Sequence, residues 1–378
     1  MAKKSKVSPN QNFRFKVLKL FLFKERQFLR MLLAFSIVAG IFYPYPQIAM
    51  WIAFIYAGYS AIANDSIQTI GTFLASNSKK PWWVLWIFIA GIFLVTVLTS
   101  WILYDGDVTY QRLDAKGFAV APASFSFLQL AAPLILLLLT RLRMPVSTTF
   151  LCLSVYSANL AGITGMVQKS VLGYAVAFFA GITLWYLLAK PIIKLTKGMP
   201  GKVWTSIQWI ISGCLWSVWL MQDGANIAVS LPRSLSLTQF SFFIAYIILG
   251  LGILLYLRGD KIQEIVTEKS HVKDVRGASI IDFVYAIILY VFKEMSHIPM
   301  STTWVFLGLM AGRELAMTIQ TGYKTHRKMA DSLRIVRKDF MNALIGLIIS
   351  IIIATLVNAE IREEIYRSVT NMFESIGL

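Results

Sequence analysis

The stretch Ile62-Ala63-Asn64-Asp65-Ser66-Ile67-Gln68 has a counterpart in Gln222-Asp223-Gly224-Ala225-Asn226. Each is followed much further on by a hydroxyl-rich turn, Pro145-Val146-Ser147-Thr148-Thr149 and Pro299-Met300-Ser301-Thr302-Thr303. The aspartates stand 158 positions apart and the first serines of the turns 154, so one device is written twice at nearly constant spacing. Both copies are embedded in apolar sequence: Asp65 follows Trp51-Ile52-Ala53-Phe54-Ile55, and Asp223 follows Trp216-Ser217-Val218-Trp219-Leu220-Met221. Matching polar interruptions in two hydrophobic halves predict two structural repeats with a polar site where they meet.

Outward from these motifs, the 378 residues are 57% hydrophobic and 15% charged, too apolar for an ordinary soluble domain. The apolar blocks are long enough to cross about 30 Å of hydrocarbon as helices. Spans are predicted near 29–43, 47–75, 82–104, 124–139, 145–166, 170–190, 204–230, 238–258, 279–295, 298–318 and 341–358. Trp82, Trp83, Trp101 and Trp204 fall at span ends, as an interfacial aromatic belt requires. The runs are continuous, not alternating, which argues against a closed β-barrel. The expected fold class is an all-α integral membrane protein with two inverted-topology repeats of five spans each, broken helices or hairpins at their interface, and an extra N-terminal helix.

The net charge of +17 comes from Lys and Arg gathered in short segments between spans, at 3–30, 190–202, 258–276 and 324–338. Placing these segments, with Lys79, Lys80, Arg141 and Arg143, in the cytoplasm lets all eleven spans alternate, with the N-terminus inside and the C-terminus external. Positive-inside orientation accounts for the charge without nucleic acid, and the plasma (cell inner) membrane is the expected location. The division is a basic N-terminal segment with an interfacial helix and an extra span (1–46), a first repeat (47–190), a cytoplasmic linker (191–203), a second repeat (204–358) and a C-terminal tail (359–378). Five spans per repeat make the second enter the membrane from the opposite side. Re-entrant hairpins at both 145–166 and 298–318 would instead put the Lys-rich 190–202 loop outside, against the charge rule. The mixed basic and apolar stretch Asn12–Arg30 reads as an interfacial helix, and no A-x-A site marks a cleaved signal peptide. Cys152 and Cys214 both fall within predicted spans, which predicts two buried thiols and no disulfide framework.

An Asp at the centre of a membrane helix costs roughly 2.5–3.5 kcal/mol on insertion scales, so two at matching positions imply a role. Helices interrupted in mid-membrane are expected there, with Gly71 and Gly224 supplying flexible backbone. In the turns, Pro followed by three hydroxyls marks a helix N-terminus, which offers free N–H groups and a partial positive charge to an oxyanion. Helix ends attract an anion and Asp65 and Asp223 repel one, so both serve one site only if cations or protons neutralise the carboxylates. The expected substrate ligands are Ser147, Thr148, Thr149, Ser301, Thr302, Thr303, Asp65 and Asp223. The expected coupling-ion set is Asn64, Asp65, Gln68, Gln222, Asp223 and Asn226, whose oxygens, with unwound backbone carbonyls, would cage Na+ or accept H+. His271 and His326 read as solvated, His297 as a flanking residue, and Arg313-Glu314 as a structural intramembrane pair. No Walker loop, HExxH or CxxC is present, and no nucleophile–base pair suggests an enzyme.

At these residues the chain resembles the inorganic phosphate transporter (PiT) family, which includes related sulfate permeases. Ile62 to Thr72 is similar to the family's GANDxxNxxGT-like motif, Gln222 to Asn226 to its second GxNDxxN, and Pro145–Thr149 and Pro299–Thr303 to its PVSTT turns. The resemblance spans roughly 47–358 and implies an inverted-repeat oxyanion symporter, often a homodimer, moving phosphate by an elevator-like motion. Gln68 and Gln222 replace family Asn residues, and Phe150 and Trp304 stand where a polar residue usually follows the turn. The expectation is cation-coupled phosphate import, with no cofactor beyond Na+ or H+ and the lipid bilayer as surroundings. Alternatives are symport of another oxyanion such as sulfate, and an anion channel or non-transporting scaffold.

Overall fold

Residue 25 opens the part of the chain that a computed structural model describes, which comprises 25–115, 117–142, 144, 146–195, 197–198, 201–257, 275–320 and 328–376. Among these residues every regular element is helical. Helix α1 (Arg26–Phe42) leads into α2 (Pro46–Ser60), which passes through a π-helical segment (Ala61–Asp65) into α3 (Ser66–Ser76). Then come α4 (Trp82–Leu103), α5 (Phe127–Arg141), a short helical stretch (a π segment, Thr149–Leu153, then one 3-10 turn, Ser154–Tyr156) and α6 (Leu160–Leu195). The second half supplies α7 (Lys202–Ala228), α8 (Leu237–Tyr256), α9 (Val275–Met295), α10 (Thr302–Ile319), α11 (Met329–Val357) and α12 (Ala359–Ile376).

Among the described residues six helices are long and apolar enough to cross a membrane, namely Pro46–Asp65, Trp82–Leu103, Leu160–Leu188, Leu237–Tyr256, Val275–Met295 and Met329–Val357, and α5 is a shorter apolar helix. The outward faces are as apolar as the core: Ile87, Val95, Ile102, Leu249, Ile253 and Ile352 are all exposed. Polar side chains lie inside, including Asn64, Asp65, Gln208, Gln222, Asp223 and Asp282. This distribution suits hydrocarbon as solvent, because apolar flanks face lipid at no cost while polar groups need partners. It identifies an all-α integral membrane protein.

Several boundaries differ from the sequence reading. The predicted spans 145–166 and 170–190 become a helical stretch of one to two turns followed by one long helix. The break falls at Ser157–Asn159, where Asn159 Oδ1 accepts the Gly162 N–H at 3.0 Å and starts α6. Lys169, inside the predicted gap, stays helical because its ammonium reaches carbonyls of a neighbouring segment. The linker 191–203 shortens, since α6 runs to Leu195 and α7 begins at Lys202. The loop predicted at 319–340 contains the first turns of α11, whose Arg334, Arg337 and Lys338 are good helix formers exposed beyond the apolar stretch. Neither Asp helix unwinds: the first absorbs its irregularity as a π segment, and α7 stays regular to Ala228. Cys152 is buried, but Cys214 lies on an exposed face of α7, correcting the expectation of two buried thiols. The predicted interfacial helix lies mostly outside the described residues, which begin within it at residue 25.

Between lipid-solvated helices no water-driven force squeezes helices together, so close packing rests on small residues. Helices α6 and α10 run side by side and share the most extensive helix–helix contact among the described residues. A Cβ at Gly308 would lie 2.3 Å from Tyr174 O, one at Gly312 2.1 Å from Phe178 O, and one at Gly181 2.7 Å from Leu309 O. Only glycine lets these backbones meet. The contact matters for the site because α10 carries the second hydroxyl turn at its start.

Candidate functional site

The two Asp-bearing helices cross the molecule in opposite directions. Ser230 Oγ, just past the end of α7, donates to Met50 O near the start of α2 at 3.0 Å. At the other end, Asn77 after α3 donates its amide to Gln208 Oε1 near the start of α7 at 2.9 Å. Asp65 and Asp223 therefore lie part-way along antiparallel elements, 2% and 1% exposed. They come close enough for their charges to act on each other.

Each carboxylate meets the turn of its own half. Thr302 Oγ1 donates to Asp223 Oδ2 at 2.7 Å, and Asn226 Nδ2 donates to Oδ1 at 2.8 Å. In the first half Asn64 Nδ2 donates to Asp65 Oδ1 at 2.5 Å. Thr148, the positional equivalent of Thr302, lies against the Asp65 carboxylate, but its hydroxyl is not in hydrogen-bonding geometry. The halves are also stitched to each other. Asn226 Nδ2 donates to Thr149 Oγ1 at 3.1 Å, and that hydroxyl donates to Met300 O at 3.2 Å. The rings of Phe150 and Trp304, the residues following the two turns, meet edge to face at 5.5 Å. The positions that follow the two turns thus touch one another.

The serines of the turns cap helices. Ser147 Oγ accepts the Phe150 N–H and Ser301 Oγ the Trp304 N–H, both at 3.2 Å. The Ser301 N–H itself donates to Ser170 Oγ of α6 at 2.8 Å. Pro145 lies outside the described residues, and so does the Gln68 side chain. Thr303 is buried beside Thr302. Among the described residues three oxygens of the constellation are buried without a hydrogen-bond partner: Thr148 Oγ1, Gln222 Oε1 and Asn226 Oδ1. Buried polar atoms are nearly always satisfied, so unpaired acceptors beside two carboxylates make a fitting oxygen environment for a hard monovalent cation. Among the described residues no cluster of His, Cys, Asp or Glu has the make-up of a multivalent metal site.

The structure also recruits residues that spacing did not reveal. Thr140, at the end of α5, donates to Asn64 Oδ1 at 3.3 Å. Tyr285 of α9 is buried and donates to Thr302 O at 2.9 Å, with Thr69 beside its hydroxyl. Two basic side chains converge on the segment that leads into the second turn. Lys169 Nζ donates to Ser296 O at 2.9 Å and Ile298 O at 2.8 Å. Arg112, from the loop between α4 and α5, donates to Lys293 O at 2.9 Å, to Ser296 O, and more weakly to Met221 O at 3.4 Å. Burial pulls the Arg112 pKa down to about 10, which leaves it charged at neutral pH. The turns hold no Lys or Arg themselves, but a lone Lys inside apolar sequence at 169 is the signal that could have found this group. Arg313 and Glu314 each have a partner on another helix: the guanidinium lies over the Trp185 ring at 5.3 Å, and Glu314 accepts from Ser332 at 3.1 Å.

Compared with family models, with curated proteins and with solved structures, the chain matches none.

Proposed function

We propose that this protein is a secondary transporter that carries an inorganic oxyanion, phosphate first, together with a monovalent cation. The observation that carries the reading is the convergence of Asp65, Asp223 and both hydroxyl turns at the crossing of two antiparallel elements from the two halves. A paired carboxylate site with unpaired amide oxygens is suited to a cation, and adjacent helix N-termini are suited to an anion. Each charge lowers the cost of burying the other, which is the physical meaning of coupling. The buried Arg112 guanidinium adds a positive field beside the segment leading into the second turn that neutral donors alone would lack. The two halves are read as inverted repeats, with the N-terminus cytoplasmic, the C-terminus external and the plasma membrane as the location. Motif resemblance to the phosphate transporter family agrees with this reading but rests on the motif residues alone.

The test is uptake of labelled phosphate and labelled sulfate into proteoliposomes of purified protein, with Na+ and H+ gradients imposed separately. The expected result is phosphate accumulation that requires one of the two gradients. Accumulation of sulfate in its place would keep the mechanism and change the substrate. Passive flux of either anion with no gradient dependence would make the protein a channel and overturn the coupling scheme.

A further inference from the structure

A third carboxylate lies inside the bundle, outside the constellation described above. Asp282, on the span α9, is 1% exposed. Thr72 Oγ1 of α3 donates to its Oδ1, and Ser212 Oγ of α7 to its Oδ2, both at 2.6 Å. No Lys or Arg forms an ion pair with it among the described residues. A carboxylate in a membrane interior with only neutral partners is expensive and marks a functional position. Its surroundings make the function specific. One turn further along α9 stands Tyr285, whose hydroxyl bonds the backbone of Thr302, the residue that holds Asp223. On α3, Thr69 beside Tyr285 donates to Asp65 O at 3.1 Å, one turn before Thr72. In the other direction Ser212 lies one turn from Gln208, which bonds Ser76 and Asn77 where α3 ends. Asp282 thus stands between the twin-aspartate site and the end of the bundle that carries Asn77 and Gln208.

We propose that Asp282 is a proton-carrying carboxyl that connects the Asp65–Asp223 site to the Asn77–Gln208 end of the bundle. This deepens the transport reading and rests on it: the coupling ion is then H+. The contact distances favour a proton over a metal ion. Each carboxylate oxygen is already within the O–H···O⁻ range of about 2.5–2.7 Å. A hard cation ligated at about 2.3–2.6 Å would hold its oxygens further apart. On discharge the carboxylic O–H breaks, its electron pair stays on the carboxylate oxygen, a water molecule entering at the Gln208 end accepts the proton and leaves as hydronium, and the carboxylate keeps its two hydroxyl donors. Of the elements packed against Asp282, α3 and α7 face it with the non-titrating hydroxyls of Thr72 and Ser212. Among the described residues no charged side chain of the packed helices acts on it, and the nearest titratable groups along α9 are Arg276 on one side and Tyr285 on the other.

Infrared difference spectra of the purified full chain across an acid-to-alkaline titration test the proposal without any transport substrate. The expected result is a protonated-carboxyl C=O band that titrates in the wild type, survives in Asp65→Asn and Asp223→Asn, and is lost in Asp282→Asn. Ser212→Ala keeps the carboxyl and should shift the midpoint of that band, which covers the case in which Asp282→Asn does not fold. In proteoliposomes, Asp282→Asn should leave exchange of phosphate at equal concentrations intact. Uptake driven by a pH gradient should fall by about tenfold or more, within the usual range for coupling between sites. A wild type that moves no oxyanion would sink the transport reading while the infrared result still judged Asp282. Persistence of the band in Asp282→Asn, its displacement by Na+ at fixed pH, or full pH-driven uptake by the variant would overturn the proposal.

Discussion

Asp223 receives hydrogen bonds from Asn226 and Thr302, both buried with it, so a change to Asn removes a charge while leaving the shape intact. Asp65→Asn and Asp223→Asn should each reduce gradient-driven uptake by about 10- to 100-fold with normal membrane insertion, and wild-type gradient dependence in either variant would remove that residue from the coupling site. Thr149 makes a separate case because it ties the first turn to Asn226 and Met300 at once. Thr149→Val leaves both partners without this hydroxyl, a loss of about 1–3 kcal/mol. Calorimetry on detergent-purified protein should register at least about tenfold weaker phosphate binding; unchanged affinity would mean that the turns only cap helices. Arg112 is charged at neutral pH and holds carbonyls at the end of α9 with its planar fork. Arg112→Lys keeps the charge but not the fork, so it should lose thermal stability, and Arg112→Met should lose both stability and anion affinity.

At the scale of elements, α10 is positioned by glycine contact with α6, and the turn it carries moves with it. A side chain at Gly312 would meet the carbonyl of Phe178, which is backbone and cannot turn aside. Gly312→Val should separate the two helices, lower the melting temperature in detergent by the equivalent of about 1–3 kcal/mol, and displace the Thr302–Asp223 contact. Gly40, with open space around its Cβ position, is the control: Gly40→Ala should leave melting unchanged or raised. Equal melting temperatures for Gly312→Val and wild type would show that the close approach of α6 and α10 contributes little.

For the whole molecule, antiparallel Asp helices decide which loops share a side of the membrane, and the positive-inside rule predicts which side is cytoplasmic. The segment between α6 and α7, containing Lys197 and Gly201, lies at the end of the bundle opposite the exposed loop around Val120. In a background lacking Cys152 and Cys214, Cys substituted at Val120 should label from outside intact cells, and Cys at Lys197 or Gly201 only after permeabilisation. The reverse pattern would invert the orientation, and labelling of both from one side would break the two-repeat scheme.

Composition and the doubled motif alone determined an all-helical membrane protein and marked Asn64, Asp65, Asp223 and Asn226 as buried polar residues, because a carboxylate in apolar sequence is costly enough to stand out. They did not determine where helices end. Polar residues such as Arg334 and Lys338 read as loop, yet the backbone continues as helix past the hydrocarbon because nothing there stops it. Nor did they reveal Asp282, Tyr285, Arg112 or Lys169, none of which belongs to a repeated pattern. Their partners are main-chain atoms and hydroxyls on other helices, more than 100 positions away for Arg112 and Lys169. Hydropathy reports the cost of burying each group, and only the packing of helices from both halves decides which partner offsets it.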